Sequence, residues 1–179
     1  MKNKKALFIT QTALMLALLI GTQFATRSFS QFVTGSMVNL ILLVSVFVIG
    51  LAGGLTVAIA SPFLASLAGI GPAFIQIVPF IAAGNAIFVL LAWPVRKRIS
   101  RFNAKDTCFA AIGLITASTA KFLFLWISLV IVALPLIPGI KEMQVKIIGA
   151  AFTWPQLLTA IIGSVLAMVV VPLLKRAKK

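Results

Sequence analysis

The chain has 179 residues, 61% of them hydrophobic, and a mean hydropathy of +1.17, which is more apolar surface than a soluble domain of this length can hide from water. It carries 16 Lys and Arg against 2 acids, a net charge of +14, with no His and no Tyr. Paired-residue acid–base catalysis and a Cys/His/carboxylate metal site therefore have no residues to work with, and a nucleic-acid surface is disfavoured because the cations flank apolar stretches instead of alternating with aromatics.

The first apolar stretch, Ala6–Ala25, follows a basic start at Lys2, Lys4 and Lys5. It is too long for a signal-peptide core and has no small-x-small site ahead of polar sequence, so it is expected to stay as the first span. Within it Ala13 and Ala17 lie four apart on one helical face, where small side chains let another helix approach closely. Ordinary packing inside a bundle would explain the pair as well.

The next run, Met37–Ala68, is nearly all apolar and too long for one crossing of a hydrocarbon core of roughly 30 Å. Gly50-Leu51-Ala52-Gly53-Gly54 divides it, since each Gly costs about 1 kcal/mol relative to Ala inside a helix. The chain then reads as one all-α integral membrane domain over 1–179, with six transmembrane helices near 6–25, 36–50, 53–69, 73–95, 107–134 and 155–174.

Six crossings put both termini on one side. That side gathers Lys2, Lys4, Lys5, Arg96, Lys97, Arg98, Arg101, Lys105, Lys175, Arg176, Lys178 and Lys179, and leaves Arg27, Lys141 and Lys146 opposite. Excess Lys and Arg marks the cytoplasmic face, so both termini are predicted cytoplasmic.

Polar residues then stand out by depth. Lys121, in Ala120-Lys121-Phe122-Leu123-Phe124-Leu125-Trp126, falls past the midplane toward the outer side. A lone ammonium costs about 2.5–3.5 kcal/mol there, so it should face a wet cavity or an anion, or snorkel to the outer surface. Asn39, Gln76, Gln156 and Thr159 are expected at similar or shallower depth, converging on one outward cavity, with Asn85 deeper, as its floor or as a bond between helices. Trp154-Pro155 opens the last span, Trp154 as an interfacial anchor or a stacking wall for a ligand and Pro155 in the first turn; Trp93, beside the basic loop, reads as an anchor. Asp106 and Glu142 are placed in loops on opposite sides, and the lone Cys108 reads as a small buried apolar side chain.

Two outer connections, 26–35 with Arg27 and 135–153 with Pro135, Pro138 and Gly139, are read as loops able to cover a site. No Gly-rich phosphate loop and no intramembrane carboxylate is present, so active transport would have to draw its energy from a partner.

With its length, six spans, cationic inner face, small-xxx-small pair and the segments Gly35-Ser36-Met37-Val38-Asn39 and Phe152-Thr153-Trp154-Pro155-Gln156-Leu157-Leu158-Thr159-Ala160-Ile161-Ile162-Gly163, the chain resembles the substrate-binding S component of an energy-coupling factor (ECF) vitamin transporter. The resemblance implies a non-enzymatic, cofactor-free, multi-pass protein of a prokaryotic plasma membrane that captures one vitamin from outside. It implies partners too: a transmembrane coupling subunit, contacted through Ala13 and Ala17, and two ATP-hydrolysing subunits. Lys121, helped by Arg27, favours a carboxylate, and Asn39, Gln76 and Gln156 would bond amides and hydroxyls; pantothenate has this mixture, and the sequence looks more like the pantothenate group than the biotin or thiamine groups. Cobalamin, folate and pyridoxine stay open. The alternative is a membrane scaffold or assembly subunit with no ligand, which predicts no pocket.

Overall fold

The computed structural model describes residues 2–72, 74–99 and 103–177. Every regular element among them is helical: α1 Lys2–Thr26, α2 Gln31–Val48, α3 Leu51–Leu67, α4 Val78–Ala92, α5 Ala104–Leu125, α6 Glu142–Ala151 and α7 Trp154–Ala177. Short 3-10 turns, Ile75–Ile77 and Trp93–Lys97, flank α4, and α5 runs on through a π-helical segment, Trp126–Ala133, to Leu136. Among the described residues five stretches are long and apolar enough to cross a membrane: Asn3–Thr26, Gln31–Val48, Ile75–Lys97, Ala104–Leu136 and Glu142–Ala177. The shorter apolar α3, at about 25 Å, sits at the lower limit for a crossing.

The long apolar run does divide, and in less space than expected. Gly50 has φ 114°, a conformation that side chains other than glycine's rarely adopt, and it alone turns α2 into α3. Gly53 and Gly54 are buried inside α3.

Packing closes α2, α3, α4, α5 and α7 into a ring, with α2 against α7 as its most extensive contact, while α1 lies outside the ring against α2 and α3. The close approach of α2 and α7 depends on Gly163. A Cβ there would lie 2.6 Å from Asn39 Cβ and 2.9 Å from both Leu40 N and Ser36 O, and backbone atoms cannot give way cheaply. Gly163→Ala is therefore expected to cost about 1–3 kcal/mol, read as a thermal midpoint lowered by several degrees in detergent. An unchanged midpoint would mean that the two helices are not in such close contact.

Two apolar clusters hold the ring. The larger centres on Leu42, Leu43, Val46, Val57, Phe88 and Leu114; the smaller, Ile77, Leu129, Ala133 and Leu134, takes Ile140, Val145, Ile148 and Phe152 of the α6 region onto α4 and the π-helical segment. At one end of the bundle the Lys175 Nζ donates to Arg96 O at 3.1 Å, and the Arg96 guanidinium lies 3.7 Å from the centroid of the Trp93 ring. The basic α4–α5 connection and the end of α7 thus meet. Arg101, Lys178 and Lys179, counted on that side, lie outside the described residues, as does Ala73 at the start of the fourth expected span.

Several expectations are corrected. The stretch 26–35 is not a loop: Ser30 opens α2, Thr34 Oγ1 donates to Thr26 O at 2.9 Å, and only 27–30 connects the helices. The stretch 135–153 is largely helix, because Glu142–Ala151 winds into α6, started by Lys141 N–H donating to Gln144 Oε1 at 3.1 Å. Asp106 and Glu142 occupy the first turns of α5 and α6, where a carboxylate favours the helix dipole; Asp106 also accepts from Asn103 Nδ2 at 2.7 Å and lies 3.7 Å from Arg98. Cys108 is exposed on α5.

Candidate functional site

A cavity of about 480 Å³ opens between the ring and α6, a volume in the range of small-molecule sites. Its walls follow from helical spacing. On α2 the residues Gln31, Thr34, Gly35, Val38 and Asn39 recur at three and four, so one stripe of the helix faces inward. Ile77, Ile81 and Asn85 do the same across from it, and α3 adds Ser61, Pro62 and Ala65. α1 contributes Gln23 and α7 contributes Gln156. Above, Ile147, Ile148, Ala151 and Phe152 form a cover, held to the rim by Gln31 Nε2 donating to Ala151 O at 2.7 Å.

Lys121 forms the floor. It is 3% exposed, and its Nζ donates to Asn39 Oδ1 at 2.6 Å and lies 5.3 Å from the centroid of the Phe88 ring. The ammonium therefore stays inside the bundle instead of snorkelling. Asn39 is locked to receive it: its Nδ2 donates to Gly35 O at 2.9 Å and reaches Thr159 Oγ1 at 3.5 Å, while Thr159 Oγ1 donates to Gln156 O at 3.1 Å. Among the described residues no carboxylate pairs with Lys121, and Asn39 is its one hydrogen-bond acceptor out of the three bonds an ammonium can donate. A buried cation so sparsely compensated is suited to an anion.

The other polar groups on the wall have spare capacity. Asn85 is 3% exposed and makes no side-chain hydrogen bond among the described residues, so it does not bridge helices. Gln23 Oε1 is buried without a partner.

Of the residues singled out in the sequence, Asn39, Asn85, Lys121 and Gln156 come together on this cavity, and Arg27, Gln76 and Trp154 do not. Arg27 is exposed, its guanidinium 4.5 Å from the centroid of the Phe24 ring. Gln76 is exposed in the 3-10 turn before α4. Trp154 is 60% exposed and meets Phe32 at 5.7 Å, an arrangement that fits an interfacial anchor better than a ligand wall. Sequence reasoning missed Gln23, Gln31, Thr34 and Ser61. Gln31 and Thr34 were hidden in a presumed loop, although their spacing to Asn39 is helical. Ala13 and Ala17 lie on the exposed side of α1, away from the cavity, beside Leu14 and Leu18.

In comparison with known proteins the chain matches no family model, no curated protein and no solved structure.

Proposed function

We propose that this chain is the substrate-binding S component of an ATP-driven importer of the ECF kind, capturing a water-soluble vitamin from outside and delivering it by docking on a coupling subunit and two ATPases. The observation that carries the reading is the cavity of about 480 Å³ floored by the Lys121 ammonium and roofed by α6. A scaffold without a ligand would use the Lys121–Asn39 bond only as a tie between α5 and α2 and would not need the cavity beside it. The exposed α1 with Ala13 and Ala17 supplies a face for the coupling subunit, and the basic end around Arg96 and Lys175 faces the cytoplasm, with both termini.

Pantothenate is the leading substrate. Its single carboxylate suits Lys121, and its amide and hydroxyls suit Asn39, Asn85, Gln23 and Gln156. Pyridoxine offers Lys121 no carboxylate, folate brings a second one, and cobalamin, several times bulkier than pantothenate, exceeds this volume.

The test is native mass spectrometry of the protein extracted from its host in mild detergent. A retained small molecule with the mass of pantothenate, or of another vitamin, is the expected result. Protein that carries none, and shows no thermal shift with a vitamin panel, would favour the scaffold.

A further inference from the structure

Helix geometry sets the depth of the cavity. Gln31 at the rim and Asn39 beside Lys121 are eight residues apart on α2, so the floor lies about 12 Å below the rim. Among the described residues, Lys121 is the only cation on the cavity wall, while the rim presents the neutral Gln31, Thr34 and Gln156. Arg27 is turned away over Phe24. A second anionic group near the rim would therefore meet no counter-charge.

Gln23 adds a fixed point between the two ends. The bond from Thr34 Oγ1 to Thr26 O aligns the antiparallel α1 and α2, so Gln23, about one turn before Thr26, lies below the level of Thr34 and above the floor. Its Oε1 is shielded from solvent and has no hydrogen-bond donor among the described residues, an unfavourable state that a small turn of the amide toward a donor in the cavity relieves. Ile77 and Ile81 line the α4 wall above Asn85 and offer only apolar contact.

We infer, resting on the capture reading above, that the ligand lies along the bundle axis with one carboxylate on Lys121 and an amide N–H or hydroxyl given to Gln23 Oε1 about 3 Å above the floor. The ligand class is then an elongated monocarboxylate with a donor close to its carboxylate end and one apolar flank, bound carboxylate first. Gln23 is a specificity-determining residue in this arrangement.

The experiment measures affinities of the full chain in nanodiscs for two probe pairs, pantothenate against its alcohol panthenol and biotin against biotinamide, in the parent, Lys121→Gln and Gln23→Leu. The parent should prefer the carboxylate member of the bound pair by roughly tenfold or more, and Lys121→Gln should erase that preference. Gln23→Leu should weaken both members by about fivefold and leave their ratio unchanged. The comparison within the parent needs no variant to fold. A preference that survives Lys121→Gln, a parent without preference, or a Gln23→Leu protein of undiminished affinity would overturn the orientation. Binding of only uncharged or cationic vitamins, such as pyridoxine or thiamine, would overturn it while sparing the capture role. No binding by any vitamin would remove both.

Discussion

Replacing Lys121 with Met is expected to weaken ligand binding by about ten- to a hundredfold and to leave the ligand-free protein at least as stable as the parent. The two halves of this expectation have different causes. A carboxylate on an ammonium inside the bundle gains a charge-assisted hydrogen bond worth about 1.5–3 kcal/mol, which the thioether cannot supply. Without ligand, the same ammonium is a burden of about 2.5–3.5 kcal/mol, offset by a single bond to Asn39 Oδ1 and a distant Phe88 ring. Met keeps the volume of the stem and drops the charge; the buried Asn39 Oδ1 loses its donor at a cost of about 1–3 kcal/mol, which removal of the buried charge offsets. Titration calorimetry with the retained compound and a thermal melt without it read the two effects separately. A large fall in the melt with unchanged affinity would make Lys121 a structural tie between α5 and α2, the outcome a scaffold demands.

Ala13→Trp and Ala17→Trp are expected to reduce uptake in cells by roughly tenfold or more while ligand affinity stays at the parental value. Both positions are exposed on α1, the helix outside the ring, and neither lines the cavity. An indole there extends from the exposed side of α1 and stays clear of the cavity around Lys121. It would hold a partner helix away from a face whose use depends on small side chains. Uptake of labelled vitamin in cells supplying the coupling module, set beside affinity of the purified variants, separates the effects. Equal loss of both would turn the alanine pair into ordinary packing and remove the proposed docking face.

How far the site could be read in the chain depended on which coordinate of a residue was asked for. Depth follows from counting along a helix, and Asn39, Gln156, Lys121 and Asn85, which it groups, all line the one cavity. Gln76 and Trp154 pass the same depth criterion and still point elsewhere. α6 was legible in principle, from Gln144 three residues after Lys141 and from apolar Val145, Ile148 and Phe152, but the neighbouring Pro135, Pro138 and Gly139 drew the reading toward a loop.

The sequence by itself determined that this protein is a set of apolar helices, that Met37–Ala68 divides in two within its glycine-rich stretch, and that a cation sits where a membrane tolerates one poorly. These depend on composition and on position along the chain, and each has a local physical cause. Only the tertiary structure decided which side of each helix faces the cavity. A span that is apolar all round has no polar stripe to orient it, so its rotation is set by contacts such as Gly163 against Asn39 and the Thr34–Thr26 bond. Those contacts join residues from different helices, and through them Lys121, Asn39, Asn85 and Gln23 come to share one wall.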